Sequence, residues 1–355
     1  MLFRQFQHEE GACLSYCIGC TRTGVAAVID AQLDIKPYLQ LLSRNNLTLT
    51  HVMETHSQAD HLSGAYNLSE ATKARLFFHE SVEANFAVNR VKHGDELSVG
   101  NILVRFLHTP GHTRDSMCMV VTDTTRSAEP WFILTGDTLF VGDVGRPDLH
   151  GSAEDLYESL YHKLMKLPDM LEVFPAHYAG SVCGKSLSPK PSSTIGFERR
   201  FNPALQFKTK DEFVRFVQSD LPVQPPRFEK VRKFNLGFLS EPPIEKTFDK
   251  KSLEVTVEEL KQKIDNGESP FLLDVREPVE YQIAHINGHL IPLGQLPDRM
   301  EELDKDREII VYCHTGNRSR RAVEFLYENG FTLVRNLIGG IEAWSRRIDP
   351  KVPRY

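Results

Sequence analysis

The sequence has no continuous apolar run of about 18 residues, the length at which a membrane-spanning helix is considered. Its first residues, Met1 to Glu10, alternate apolar and polar without the apolar core of a secretory leader. Neither a membrane partner nor secretion is expected, and the reading is a soluble cytoplasmic chain. Cysteine is scarce: six in 355 residues, irregularly spaced, too few for a disulfide scaffold and in keeping with reduced thiols. Basic clusters are missing as well. The 42 Lys and Arg are scattered and outnumbered by 48 Asp and Glu, so no nucleic-acid partner is expected. What remains is an ordinary globular composition at a length that suggests two domains or one large one.

What is present is histidine and aspartate in one recurring place. An apolar run over 47–53 reads as a buried strand and ends in Thr55-His56-Ser57-Gln58-Ala59-Asp60-His61, before a helix expected over 62–71. A strand expected over 102–107 ends in His108-Thr109-Pro110-Gly111-His112, one over 131–134 ends in Thr135-Gly136-Asp137, and one over 171–174 ends in Pro175-Ala176-His177. A sheet holds the backbone rigid where a strand stops, so the loop that follows can turn several side chains toward one point. Further strands are expected over 2–6, 12–18, 25–29, 75–78 and 116–121, with helices over 34–42, 154–167 and 211–217.

This succession of strand-end ligands resembles the metallo-β-lactamase superfamily over residues 1–237. The resemblance implies an αββα sandwich with metal at one edge of the two sheets. Hydrolases of the superfamily, such as glyoxalase II, carry His-x-His-x-Asp-His and bind two metals. Here Gln58 replaces the second His, and an amide oxygen is a poor ligand for zinc or iron. His56, His112 and Asp137 remain, two imidazoles and one carboxylate, which leaves other coordination positions for substrate and dioxygen. The persulfide dioxygenases of the superfamily hold one non-haem Fe(II) on residues matching these three. Asp60, His61 and His177 match the hydrolases' other metal site and are read, with Gln58, as groups that orient ligands or water.

The stretch from Thr135 to Asp148 resembles the segment of these dioxygenases that carries the Asp ligand and a Gly-Arg pair. Arg146 either pairs with a carboxylate of a tripeptide thiol or ties down its own loop. Tyr178 is placed with it as substrate-binding. Residues 177–188 and 192–200 resemble members fused to rhodanese domains and are expected to border the pocket, with Lys185 and Arg200 as further basic groups suited to an anionic thiol carrier. Cys17 and Cys20 have redox-motif spacing but no obvious following helix, and read as core or loop thiols; Cys118 reads as packing. Cys20 and Cys183 enter as sulfur carriers only by the resemblance.

Pro-rich breaks at 221–226 and 241–245 end this pattern. The first belongs, by resemblance, to the closing helix of the N-terminal domain, and a linker is expected over 238–252. Residues 253–355 form a shorter α/β pattern: a helix over 256–264, a strand at Phe271 ending in Asp274-Val275-Arg276-Glu277, and a strand over 307–312. That last strand runs into Cys313-His314-Thr315-Gly316-Asn317-Arg318-Ser319 and a helix over 320–329. A cysteine between a strand and a helix N-terminus has its thiolate stabilised by backbone N–H groups and the helix dipole; Arg318 adds positive charge, and Gly316 lets the loop curl. Cysteine phosphatases place five residues between Cys and Arg. Four stand here, a tighter cradle that suits a persulfide sulfur. The region resembles a single-domain rhodanese, which implies that Cys313 accepts sulfur with Arg318 as its catalytic partner, that the loop residues His314, Thr315, Gly316, Asn317 and Ser319 surround it, and that Asp274 with Arg276 braces the loop.

The whole therefore resembles a persulfide dioxygenase-rhodanese fusion of α/β class. The expected partners are glutathione persulfide, O2, sulfite, thiosulfate and glutathione, and self-association into a homo-oligomer is left open. A zinc thioesterase of the glyoxalase type fused to a rhodanese is the nearest rival, against which Gln58 stands. A non-catalytic sulfur sensor or carrier would show a damaged Cys loop or metal triad, and both are intact.

Overall fold

The computed structural model describes residues 1–8, 10–148, 150–181, 183–185, 187–219, 221, 227–243 and 253–354. The chain divides into two compact units, Met1–Pro243 and Ile244–Tyr355. Residues 222–226 of the first Pro-rich break, and 244–252 of the expected linker, lie outside the described residues.

In the first unit the strands are β1 (Leu2–His8), β2 (Cys13–Cys20), β3 (Val25–Ile29), β4 (Thr48–Met53), β5 (Arg75–His79), β6 (Asn89–Val91), β7 (Glu96–Val99), β8 (Ile102–His108), β9 (Met117–Asp123), β10 (Phe132–Gly136), β11 (Glu172–Pro175) and β12 (Ser193–Thr194). The helices are α1 (Lys36–Arg44), α2 (Ala65–Thr72), α3 (Ala153–His162), α4 (Ile195–Phe201), α5 (Lys210–Gln218) and α6 (Phe228–Asn235). One sheet runs β1-β2-β3-β4-β5-β6 and the other β12-β11-β10-β9-β8-β7.

The period-two alternation of each strand sorts its side chains into separate layers. Leu14, Tyr16 and Ile18 of β2 meet Phe106, Met119 and Leu134 of the other sheet in a core between the two. Cys17 points the opposite way, into a second core with Tyr38 and Leu42 of α1 and Leu68 of α2. Across the molecule, Cys118, Val120 and Ile133 pack on Leu156 and Leu160 of α3 and Phe213 of α5. Helices thus cover the outer face of each sheet, which is the αββα sandwich. Because both faces of β2 are buried, it reads as a nearly unbroken apolar run.

The second unit has five parallel strands, β13 (Glu254–Val255), β14 (Phe271–Asp274), β15 (His289–Leu290), β16 (Ile309–Tyr312) and β17 (Val334–Leu337), in the order β13-β17-β16-β14-β15. Its helices are α7 (Val257–Asp265), α8 (Pro278–Ile283), α9 (Leu296–Arg299), α10 (Asn317–Glu328) and α11 (Gly340–Arg347). Leu273 and Val311 face Ala322 and Leu326 of α10, while Ile310 and Tyr312 face Leu260 of α7 and Trp344 of α11. Thr256 starts α7 with a reciprocal pair of hydrogen bonds to Glu259.

Where the structure departs from the expected elements, the segments are short. Strands β6, β7 and β12 and helices α4, α6 and α8 run two to eight residues, too few turns or alternations to show a period. Helix α3 stops at His162 and a separate turn covers Leu164–Lys166.

Candidate metal centre and thiol loop

The loops after β4, β8, β10 and β11 deliver His56, His112, Asp137 and His177. Donor atoms of His56, His112 and Asp137 all lie within 4.8 Å of one another, and all three residues are buried. His112 Nε2 is 3.4 Å and His56 Nε2 3.9 Å from Asp137 Oδ2. That oxygen is buried without a hydrogen-bond partner among the described residues. An orphaned carboxylate oxygen facing two imidazole nitrogens is costly by itself and is resolved by a cation, so the set fits a divalent metal.

The surroundings aim these donors. Thr55 Oγ1 donates to Asp30 Oδ2 at 2.9 Å and so accepts from His56 Nδ1 at 3.0 Å. His112 Nδ1 donates to the Arg146 carbonyl at 2.9 Å. Each ring is held in the tautomer that leaves Nε2 free for a metal. Asp115 accepts from Ser57 N at 2.6 Å and Ser57 Oγ at 3.0 Å, tying the loop of His56 to that of His112. From α6, Asn235 Nδ2 donates to the carbonyls of Gln58 and His61, and its Oδ1 accepts from Ser63 N. Gly136 carries φ +52°, and a Cβ there would stand 2.8 Å from Thr55 Cβ, so only glycine lets β10 deliver Asp137 this close to the His56 loop.

Burial brings the His56 imidazole down to about 4, despite the pull of Asp137, which keeps it neutral for coordination. The same burial pushes Asp137 up, but the His177, His112 and His56 imidazoles outweigh it and hold the carboxyl well below the usual range. Burial raises Asp30 to about 6 against two hydrogen bonds from Thr55. Gln58 lies behind His56: its Nε2 is 3.3 Å from Asp30 Oδ1 and 3.5 Å from His56 Nδ1, the nitrogen turned from Asp137. His177 links two carboxylates, with Nδ1 2.7 Å from Asp137 Oδ1 and Nε2 2.6 Å from Asp60 Oδ2. His61 Nδ1 is 3.1 Å from Asp60 Oδ1.

The basic and aromatic residues proposed to meet substrate are engaged within the protein. Arg146 is buried and forks onto Asp148 at 2.8 and 2.7 Å, the loop-tying arrangement of the two the sequence allowed. Tyr178 donates to the His8 carbonyl at 3.3 Å, and Lys185 Nζ donates to the Phe216 carbonyl at 2.6 Å. Arg200 is 71% exposed, 3.9 Å from Asp169. Cys17 and Cys20 sit in different cores, so their spacing brings no redox pair together, and all six cysteines are free thiols. Asp30, Asp115, Asn235 and Cys13 were not expected at the site from the sequence. Only Asp115, three residues from His112, stood near enough to a ligand to be noticed.

In the second unit Cys313 follows β16. Gly316, with φ +97°, turns the chain into α10 so that its N–H reaches Cys313 Sγ at 3.2 Å. Ser319 Oγ is 3.4 Å from the same sulfur and 2.7 Å from Asn336 Oδ1. The start of α11 closes the other side, with Ile341 N and Glu342 N donating to the carbonyls of Cys313 and His314; His314 Nε2 is 3.8 Å from Glu342 Oε2. Thr315 and Asn317 complete the turn between β16 and α10. Arg318 forks onto Glu280 at 2.6 and 2.6 Å, so its charge is matched by a carboxylate. Glu280 belongs to α8, which Arg276 holds through the Ala284 carbonyl at 2.7 Å while pairing Asp274 at 2.9 Å, both residues fully buried.

Residues 9–177 match the metallo-beta-lactamase superfamily, and residues 256–347 match the rhodanese-like domain. A metallo-beta-lactamase structure from Staphylococcus aureus is 28% identical, covers 96% of this chain and 98% of its own, and superposes with a TM-score of 0.63. The structure of ETHE1 from Myxococcus xanthus is 33% identical over 66% of this chain and 100% of its own, with a TM-score of 0.58. A hydroxyacylglutathione hydrolase of Rhodopseudomonas palustris is 31% identical over 64% of this chain and 83% of its own length. The chain belongs to the metallo-beta-lactamase superfamily through its first unit and carries a rhodanese-like domain in its second. No helix among the described residues is long and apolar enough to cross a membrane.

Proposed function

We propose that the chain is a bifunctional enzyme of sulfur metabolism. The first unit would oxidise glutathione persulfide with O2 and water to sulfite and glutathione on one non-haem Fe(II). The second would pass sulfane sulfur between thiosulfate and glutathione through a persulfide on Cys313. The observation that carries the first half is a buried set of two imidazoles and one carboxylate, with Gln58 turned behind His56 toward Asp30. His56, His112 and Asp137 would hold the iron, which when bound supplies the dioxygen chemistry that side chains lack. The chain's own part is to keep His56 neutral with Nε2 forward, to keep Asp137 ionised, and to hold a proton between His177 and Asp60. Burial of these groups strengthens every polar contact among them.

In the second unit the Gly316 N–H donates to Cys313 Sγ, the sulfur that the reaction uses, at 3.2 Å, and the start of α10 lies behind it. Attack of the Cys313 thiolate on the outer sulfur of thiosulfate forms the Cys313 persulfide and releases sulfite. Attack of a glutathione thiolate on its outer sulfur restores Cys313 and releases glutathione persulfide. The likeness to ETHE1 and the rhodanese-like match support this reading.

A second reading, a zinc-dependent thioesterase in the first unit, is supported by the likeness to hydroxyacylglutathione hydrolase and by Asp60, His61 and His177 lying together. Fe(II)-loaded and Zn(II)-loaded protein, each given glutathione persulfide under oxygen and separately a glutathione thioester, separates the two. Oxygen uptake matched by sulfite from the iron form is expected, with no thioester hydrolysis by either. Thioester hydrolysis by the zinc form, without oxygen uptake by the iron form, would replace the dioxygenase reading.

A further inference from the structure

Cys313 is 1% exposed, so a sulfur donor passes its outer sulfur into the turn while the group that leaves stays at the rim. At that rim stand Arg318, with 33% of its side chain exposed, and Glu280, with 17%. We propose that Glu280 sets the donor selectivity of the second unit: by matching the charge of Arg318 it favours donors that bring one negative charge to the rim, persulfides and thiosulfonates, over the dianion thiosulfate. The proposal rests on the reading of Cys313 as the sulfur-transfer nucleophile.

Two observations carry it. The first is charge. Arg318 Nη1 and Nη2 donate to Glu280 Oε2 and Oε1 at 2.6 Å each, the two-point fork that fits a guanidinium to a carboxylate. The oxygens of a sulfonate compete for the same fork. A dianion must therefore displace Glu280 or approach a guanidinium whose charge is already cancelled. Across the turn, Glu342 of α11 pairs with Arg346 at 2.7 Å and lies 3.8 Å from His314 Nε2, so a second carboxylate stands on the loop's other side and matches a second guanidinium.

The second is rigidity. Glu280 Oε2 also accepts from Glu277 N at 3.0 Å, part of the reciprocal bonding that starts α8. Arg276, buried on Asp274, donates to the carbonyls of Glu280 at 3.4 Å and Ala284 at 2.7 Å. The carboxylate is thus fixed through its side chain and its backbone, and swinging it aside to release Arg318 would break the start of the helix as well as the fork.

A pair of donors isolates the charge. The Cys313 thiolate attacks the outer sulfur of either thiosulfate or methanethiosulfonate and forms the same persulfide anion. The sulfur–sulfur bond breaks to sulfite, with two negative charges, in the first case and to methanesulfinate, with one, in the second. Both donors turn a sulfonyl group to the rim, and a methyl of one replaces a charged oxygen of the other.

Full-length parent and Glu280→Gln are assayed with each donor and with cyanide as acceptor, reading thiocyanate. Glutamine keeps the shape and can still accept from Glu277 N, but it carries no charge. The ratio of kcat/KM for thiosulfate to kcat/KM for methanethiosulfonate should rise about fivefold in the variant at low salt, and the gain should shrink as ionic strength is raised. A disturbed helix would lower both efficiencies alike and leave the ratio unchanged, so an unchanged or smaller ratio would overturn the proposal. If Glu280→Gln fails to fold, the parent decides: its ratio should rise with ionic strength as repulsion of the dianion is screened, and a flat or falling ratio would overturn the proposal. No thiocyanate from either donor in the parent would overturn the reading of Cys313 itself, an outcome distinct from turnover of both at an unchanged ratio.

Discussion

The two candidate sites are assembled in opposite ways. The metal centre draws on groups from Asp30 to Asn235, brought together by four strand ends and a late helix. Around Cys313 the nearest groups come from one turn, Gly316 and Ser319. A centre built from distant strand ends inherits the rigidity of two sheets, which suits ligands that must hold a fixed geometry. A turn before a helix supplies oriented N–H groups locally, and a single nucleophile needs little more. Yet the local site also has a distant brace. Asp274 and Arg276 hold α8, and Glu280 of α8 holds Arg318.

That brace is where the contrast can be broken most forcefully. Arg276→Met leaves the Asp274 carboxylate buried and unpaired, and should cost the second unit about 3–5 kcal/mol. The chain has two tryptophans, of which Trp344 is buried in the second unit and Trp131 is 41% exposed in the first. Urea unfolding followed by fluorescence should therefore show an early transition from Trp344, with metal retention by the first unit unchanged. Coincident loss of both would mean that the two units do not stand apart in stability.

Thr55→Val sharpens the other side. It keeps the shape but removes the hydroxyl between Asp30 and His56, and should lower Fe(II) affinity about 10–100-fold without touching sulfur transfer. Equilibrium dialysis against a competing chelator measures it. For the thiol loop, Ser319→Ala removes the hydroxyl that bonds Asn336 Oδ1 and stands 3.4 Å from the Cys313 sulfur, and should slow thiosulfate sulfurtransfer by about tenfold, with metal content unaltered.

The smallest expected effect concerns the other thiols. Burial raises Cys20, but hydrogen bonds from Thr23, Asn101 and Arg22 bring it down to about 7, whereas burial takes Cys17 up to about 12 and Cys118 up to about 11. Thiolate forms as pH rises through these values, so the ultraviolet thiolate absorbance of the folded protein should show a step with a midpoint near pH 7 that is lost in Cys20→Ser. Cys17→Ser and Cys118→Ser should leave the absorbance up to pH 8 unchanged.

Much of this was legible in the sequence for a physical reason. A long apolar strand ending in His or Asp carries two signals at once, burial and chemistry, and β4, β8, β10 and β11 all carry both. The Cys313 turn was legible because its spacing is local. Cys13 was not: it opens a strand in which the neighbouring residues are equally buried, and nothing in Ala12-Cys13-Leu14 says that His61 lies 3.6 Å away. Asn235 was hidden for the same reason, since α6 is eight residues long and its partners at Gln58 and His61 lie more than 170 residues earlier. Gln58 could be read as a lost ligand, but its turn toward Asp30 depends on a carboxylate delivered by β3. Arg146 offered two readings, and its fork onto Asp148, which supports the loop-tying one, rests on a side-chain placement that spacing alone does not give.

If one chain carries two separate sites, each complete within its own unit, their activities must come apart by mutation. Persulfide-dependent oxygen uptake and thiosulfate sulfurtransfer, assayed side by side in two full-length variants, put this to the test. His112→Ala should abolish oxygen uptake and leave sulfur transfer intact, while Cys313→Ser should abolish transfer and leave uptake intact. If either substitution silenced both activities in a protein that remained folded, the two sites would be one functional unit, and their proposed independence would be contradicted.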